Sequence, residues 1–193
     1  MFSLLSKHID RYVIISDAEK QHFFDALVLK TLKRNQFLLE EGEVCRHENF
    51  VTSGGLRFYE TDETGNDNII YFGFEDWWLT DKYSFLTGKP SRYNIQALEN
   101  TEILSVDREK LEKLFLQIPS LERYFHIVLQ ETFAFWQNRI LLMQKTAEEK
   151  YREFHHTYGH MEQRLSQQHI ASYLGITRET LNRIRTSFYR KKT

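Results

Sequence analysis

A chain of 193 residues accommodates one or two domains with a sizeable core, and an aromatic share of 15%, with fifteen Phe and ten Tyr, supplies material to fill it. A net charge of −1 excludes a uniformly basic nucleic-acid-coating protein, and the single cysteine, Cys45, excludes a disulfide framework or a thiolate metal or iron–sulfur centre within one chain. The first eight residues lack an apolar run of signal-peptide length and no stretch has eighteen apolar residues in succession, so a soluble cytoplasmic protein without a membrane partner is expected.

In chain order, Ser16-Asp-Ala-Glu19 reads as a capping box, with Phe23, Phe24 and Leu27 giving the following short helix an apolar face. From Lys30 to Val106 the texture changes to short β-type runs: Gln36–Leu39, Glu48–Thr52, Leu56–Glu60, Asn68–Phe74, Arg92–Ala97 and Glu102–Val106. Glu41-Gly42, Ser53-Gly54-Gly55 and Thr64-Gly65-Asn66 supply the turns between them. Many short strands with no helix between most of them predict an antiparallel jelly roll or small barrel rather than a parallel α/β sheet, within an α+β chain.

Asp107 caps a predicted helix from Arg108 to about Leu116, and Pro119 then opens a much longer one that runs to about Lys145. The apolar residues of the long helix fall on two stripes. Leu121, Phe125, Val128, Phe135 and Leu142 form one; Leu129, Phe133, Trp136, Ile140 and Met143 form the other. One stripe can cover the β-domain, and the second calls for another partner, for which a second copy of the helix is the natural candidate. Leu121, Phe125, Val128, Leu129 and Trp136 are the expected dimer contacts. Thr146-Ala-Glu-Glu149 is a further capping box and starts a helix that Gly159 ends. The expected division is therefore 1–118 for a β-roll domain, 119–145 for the long helix and 146–193 for the last domain.

Within that last segment Ser166 is a good N-cap, and Ile170 and Leu174 recur at i and i+4, which predicts a short amphipathic helix over Gln167–Leu174. Gly175 stops it, and Thr177 caps a second helix, Arg178 to about Phe188, with the apolar stripe Leu181, Ile184, Phe188. Two short helices joined by a tight Gly-containing turn make a helix-turn-helix. Arg178, Glu179, Asn182, Arg183 and Arg185 lie off the stripe, and arginine forks and carboxylates are the groups that read guanine and cytosine edges. The charge agrees: from Arg178 to Thr193 six Lys/Arg, Lys191 among them, stand against Glu179 alone, a net of +5 that leaves the preceding residues at −6. Ser166, Gln167 and Thr177 are the helix-start residues expected beside the DNA backbone.

Other signals are weaker. His156 and His160 have the i,i+4 spacing of a helical metal pair, but Gly159 interrupts the helix between them and no third ligand stands out, so no metal is assigned. A metal-dependent, cupin-like β-roll with an appended interaction module is the alternative of a different class, yet the chain offers only His47-Glu-Asn49 where a His-x-His pair is wanted. No nucleophile–base arrangement is legible, so no enzyme is predicted.

The order of a β-roll, one long helix and a C-terminal helix-turn-helix, with the run Thr177-Arg-Glu-Thr-Leu-Asn-Arg183, resembles the cyclic-AMP receptor protein/FNR (Crp/Fnr) family of bacterial transcription regulators, in a branch common in Bacteroidetes-type regulators. The resemblance implies an eight-stranded roll with a cyclic-nucleotide-binding-like fold, a homodimer on a two-fold site of double-stranded DNA, and contact with RNA polymerase. It also places base reading at Arg178, Glu179 and Arg183. Members of the family usually follow the second helix with a β-hairpin wing; with Tyr189 to Thr193 after it here, wing contacts to phosphate are not expected.

In cyclic-nucleotide-binding members a Gly-Glu and a later Pro-Arg-Ala/Ser hold the phosphate and ribose. The matching stretches here are Phe74-Glu75-Asp76-Trp77-Trp78 and Pro90-Ser91-Arg92-Tyr93, with a carboxylate in place of the glycine and Arg92 one residue late. Cyclic AMP is therefore not the expected effector, and no cofactor is assigned. Tyr71, Glu75, Asp76, Trp77, Trp78, Ser91, Arg92 and Tyr93, with Tyr83 and Phe85 nearby, are the candidate effector-pocket residues, although filling of the roll by these rings is the preferred reading.

Overall fold

The computed structural model describes residues 2–190. Lys191, expected at the DNA backbone, lies outside the described residues. The chain divides into two compact units, one formed by the chain up to Glu60 together with Tyr71–Gln130, the other by Thr61–Ile70 together with Glu131 onward. The long helix that the sequence sets apart as its own segment is thus shared, with the change falling after Gln130.

The first unit begins with α1 (Ser3–Asp10) and α2 (Asp17–Asp25). Ser16 caps α2: its Oγ accepts from Glu19 N at 3.3 Å while the Glu19 carboxylate accepts from Ser16 N at 3.0 Å. Then come β1 (Val28–Leu32), β2 (Phe37–Leu39), β3 (His47–Ser53), β4 (Gly55–Thr61), β5 (Asp67–Phe74), the short α3 (Lys82–Thr87), β6 (Asn94–Ala97), β7 (Thr101–Asp107), α4 (Arg108–Gln117) and the start of α5 (Pro119–Met143). The strands form two sheets, ordered β1-β7-β3 and β2-β6-β4-β5. Antiparallel ladders set Phe50 opposite Leu104 and Phe58 opposite Ile95.

The eighth strand of the expected roll is reduced to a segment beside β3. Asp76 takes a left-handed backbone, φ 73°, after which Val51 N donates to Trp77 O at 2.9 Å and Leu79 N to Asn49 O at 2.8 Å. Only Phe50 and Trp78 form a bridge there. The core joins Leu5 and Ile9 of α1, Phe23 of α2, Phe50, Leu104 and Val106 of the sheet, Leu111 and Leu114 of α4, and Leu121, Tyr124, Phe125 and Val128 of α5. Each of these aliphatic or aromatic groups contributes about 1.5–3 kcal/mol by leaving water, so α1 and α5 are integral to the roll. Three elements lie beyond the sequence expectation: α1, β1 and α3.

In the second unit α5 ends at Met143 and α6 (Ala147–Tyr158) begins under a complete capping box on Thr146 and Glu149. A 3-10 turn over Gly159–Arg164 leads to α7 (Gln167–Leu174) and α8 (Arg178–Arg190). The tip of the β4–β5 hairpin is fixed in this unit by Ser172, whose Oγ donates to Asp67 O at 2.5 Å and accepts from Ile69 N at 2.9 Å. Arg139 of α5 adds a second tie, its Nε donating to Ile70 O at 3.2 Å and its guanidinium lying 4.0 Å from the centre of the Tyr173 ring.

The expected dimer contacts divide into two groups. Leu121, Phe125 and Val128 are 0, 9 and 8% exposed within one chain, so they serve the roll core and are not free for a partner. That corrects their assignment: the roll sits over this stripe for the first third of the helix. No helix among the described residues is long and apolar enough to cross a membrane.

Candidate nucleic-acid interface

The two helices after the 3-10 turn are set by local chemistry. Ser166 Oγ accepts from His169 N at 3.1 Å and starts α7. Gly175 ends it in the left-handed conformation, φ 62°, which favours glycine, while the Met143 methyl 2.9 Å from where a Cβ would stand could swing aside. Two residues later Thr177 Oγ1 accepts from Thr180 N at 3.2 Å and opens α8. Leu181 and Ile184, 0 and 6% exposed, bury the inner stripe of α8 beside Ile170, Ala171 and Leu174 of α7. The half-buried Phe188 continues it, 5.2 Å ring to ring from Tyr151.

A 100° step per residue places Glu179, Asn182, Arg183, Thr186, Ser187 and Arg190 on the opposite face of α8, with Arg178 at its flank. All seven are exposed. A shallow groove of about 500 Å³ runs along this face between Arg183, Thr186, Ser187 and Arg190. Thr186, Ser187 and Arg190 were not singled out from the sequence, although their i+3, i+4 and i+7 spacing from Arg183 is readable there. The Glu179 carboxyl is held below the usual carboxylate range by hydrogen bonds from its own amide and from the Thr177 hydroxyl, so it is an acceptor at neutral pH. Arg178 and Arg183 make no ion pair or hydrogen bond through their guanidinium groups among the described residues, which leaves their forks free.

Arg185 departs from the expectation. It is half-buried on the inner side of α8, with its Nε 3.1 Å from Glu162 Oε1. The N–H is not aligned for a hydrogen bond, so the contact is an ion pair. The Glu162 carboxylate, 5% exposed, also accepts from Tyr151 Oη at 2.8 Å and Tyr189 Oη at 3.3 Å, and lies 3.2 Å from His155 Nδ1. Arg185 therefore joins the group that ties α6, the 3-10 turn and α8 together, and is not on the outward face. His155, next to the His156 of the i,i+4 pair, belongs to the same group. Among the described residues no set of three or more His, Cys, Asp or Glu side chains is placed to hold a metal ion.

The candidate effector residues are likewise split. Tyr71 stacks on Phe58 and Tyr93 packs tilted against it, with ring centres 4.8 and 4.7 Å away, and both fill the roll. Ser91 Oγ donates to Asp81 Oδ2 at 2.7 Å, and Asp81 also caps α3 through Ser84 N. Glu48 accepts from Thr80 Oγ1 at 2.7 Å and from Lys82. Burial, with the Asp81 and Glu48 carboxylates adding to it, raises the Tyr71 phenol above its ordinary range. The interior at this point is thus aromatic, with the Asp81 carboxylate hydrogen-bonded and the Glu48 carboxylate paired with Lys82. Arg92 points outward and pairs with Glu60 at 2.8 Å, its side chain 74% exposed.

Glu75, Asp76, Trp77 and Trp78 are elsewhere because the left-handed turn at Asp76 lays them along β3. Glu75 Oε1 accepts from Gly54 N at 2.7 Å, Asp76 pairs with Arg11 at 2.6 Å, and Trp78 packs on Phe50 and Phe125 while donating to Tyr124 Oη at 2.7 Å. Trp78 is therefore a core residue and not a pocket wall. Phe85 is buried and Tyr83 is 56% exposed.

Comparison with known proteins agrees with both halves of this architecture. Residues 29–117 match the family profile described as a cyclic nucleotide-binding domain, and residues 139–193 match that of a Crp-like helix-turn-helix domain. The chain is 28% identical to the transcriptional activator protein Anr of Pseudomonas protegens over 174 residues, covering 82% of this chain and 69% of that protein. It is 26% identical to the fumarate and nitrate reduction regulatory protein of Vibrio cholerae over 177 residues, covering 84% and 69%. Among solved structures, FixK2 from Bradyrhizobium japonicum superposes with a TM-score of 0.73 at 21% identity, covering 86% of each chain. A CooA mutant from Carboxydothermus hydrogenoformans gives 0.72 at 19%, covering 88% and 79%. With its roll, its long helix and its capped helix-turn-helix, the chain belongs to the Crp/Fnr family of transcription regulators.

Proposed function

We propose that the protein works as a homodimer in the cytoplasm, reading a two-fold site on double-stranded DNA with the outward face of α8. The observation that carries this reading is the pair of guanidinium groups, Arg178 and Arg183, free among the described residues, beside the ionised Glu179 at the exposed start of a helix whose inner side is buried at Leu181 and Ile184. Arginine forks meet guanine O6 and N7, and a carboxylate accepts from cytosine N4. Thr177, at the first turn, and Ser166 with Gln167, at the start of α7, supply backbone contacts, and Thr186, Ser187 and Arg190 extend the phosphate-facing edge.

Dimerisation through α5 is supported by the second apolar stripe. Leu129, Phe133, Ile140 and Met143 are 44, 63, 63 and 42% exposed, and together with half-buried Trp136 they recur at alternating steps of four and three, the seam of a coiled coil. The relatives named as transcriptional activators favour contact with RNA polymerase as part of the same reading. The ring-filled roll interior favours an effector other than a cyclic nucleotide, because the Asp81 carboxylate would repel a phosphate and the Lys82 ammonium is already paired with Glu48. Selection of binding sites from randomised duplexes with the full chain tests the proposal. A two-fold-symmetric sequence with half-sites about 34 Å apart supports it, and enrichment of no sequence contradicts it.

A further inference from the structure

A cleft on the roll, formed by β1, β2, the loop from Glu43 to Arg46 and the start of β3, gathers three basic side chains, Lys30, Arg46 and His47, against the single carboxylate of Glu43. Its volume is about 470 Å³, within the range of roughly 300–1,000 Å³ that small-molecule sites occupy. Leu38, Leu39 and Val44 give it an apolar wall, and Lys30, Arg46 and His47 stand around it. Neither the Lys30 amine nor the Arg46 guanidinium meets a carboxylate among the described residues.

Each group that could neutralise them is engaged or uncharged. The Glu43 carboxylate, which also lines the cleft, is turned to Glu40 N at 2.9 Å. Asp107 is committed to capping α4 through Glu109 N at 2.9 Å. The Cys45 thiol beside Lys30 is pushed up to about 11 by burial and stays neutral at neutral pH. The Asn49 amide nitrogen is bound to the carbonyls of His47 and Leu79, and its oxygen to Ser105.

The electrostatics of the cleft show the same excess. Burial lowers the basicity of Lys30, and His47 is lowered by burial and then by Lys30, with Arg46 and Lys110 adding to the effect against Asp107. Holding a half-buried ammonium beside other cations opposes folding, and a bound anion would remove that opposition. We propose that this cleft binds a small organic anion with an apolar body, its charged head between Lys30 and Arg46 and its body on Leu38, Leu39 and Val44. The residues involved are distinct from the outward face of α8 and from the Ser91–Asp81 interior, so the inference stands apart from the DNA-reading proposal.

The test is calorimetric titration of the full chain with octanoate, with its uncharged twin octanamide, and with phenyl phosphate, followed through the methyl resonances of Leu38, Leu39 and Val44. Octanoate or phenyl phosphate should bind once per chain and shift those methyls, with octanamide at least tenfold weaker. Lys30→Gln combined with Arg46→Gln should weaken the anion at least tenfold without lowering the unfolding temperature. If that variant does not fold, Arg46→Gln alone, at an exposed position, should still weaken binding several-fold. Equal binding of octanoate and octanamide overturns the proposal, as does anion binding unaffected by these substitutions, methyl shifts confined to other residues, or no binding of either anion at millimolar concentration.

Discussion

Arg185 Nε lies 3.1 Å from the buried carboxylate of Glu162, and this pair turns inward one of the four arginines of α8. Helix α8 therefore has two kinds of arginine: Arg178 and Arg183 face solvent, and Arg185 holds the helix to the 3-10 turn. Replacing Glu162 by Ala removes the acceptor shared by Tyr151, Tyr189 and Arg185 and should cost about 2–4 kcal/mol, read by chemical unfolding. Arg185→Ala should cost less, about 1–2 kcal/mol, since Tyr151 and Tyr189 still satisfy the carboxylate and the arginine is 29% exposed. A loss of sequence selectivity in Arg185→Ala with stability unchanged would show that Arg185 faces the bases after all.

The exposed stripe of α5 leads to a prediction about assembly. Phe133→Asp and Ile140→Asp place a charge where each chain would need an apolar surface, and each should weaken the dimer roughly a hundredfold in sedimentation equilibrium. Helicity and unfolding of the single chain should change little, because both side chains are 63% exposed within it. Retention of a tight dimer in both variants would show that α5 is not the seam.

A buried relay in the first unit predicts a pH dependence. Trp78 Nε1 donates to Tyr124 Oη at 2.7 Å, which leaves the Tyr124 hydroxyl proton for His8 Nδ1, also at 2.7 Å. That arrangement requires neutral His8. Burial lowers its pKa to about 4, partly opposed by Asp76. Between about 6.5 and 4 the unfolded chain binds a proton that the folded chain refuses, so stability falls as pH drops through that window, by on the order of 2–3 kcal/mol. His8→Phe should flatten the curve there; an unchanged slope would contradict the role given to His8.

The roll interior predicts the outcome of a titration with cyclic AMP. Asp81 and Ser91 are hydrogen-bonded to each other beside the Phe58–Tyr71–Tyr93 rings, the Lys82 ammonium is paired with Glu48, and Arg92 is spent on Glu60 at the surface. No heat of binding is expected up to millimolar nucleotide. Micromolar affinity would show that the interior rearranges around a phosphate.

Much of this was legible in the sequence where local chemistry decides. The boxes Ser16–Glu19 and Thr146–Glu149, the caps Ser166 and Thr177 and the stop at Gly175 were readable because each partner lies within four residues. β1 escaped because its burial does not alternate cleanly, Val28 being 51% exposed, and only its ladder to β7 makes it a strand. α1 has no side-chain cap and is helical because Leu5 and Ile9 insert into the roll. α3 is six residues long, too short to show an apolar period, and only its cap Asp81 and its stop Gly88 mark it. The inward turn of Arg185 was invisible for a different reason: Glu162 is distant in sequence, and only the folded 3-10 turn brings it beneath α8.

The most direct test of the account compares Arg183→Ala with the unsubstituted protein on a selected site and on random duplex, by fluorescence anisotropy at one fixed salt concentration. A guanidinium that reads a base contributes about 1–3 kcal/mol of discrimination, so the ratio of specific to random affinity should fall about 5- to 150-fold, with random binding nearly unchanged. An equal loss on both duplexes, leaving the ratio intact, would contradict base reading by the outward face of α8.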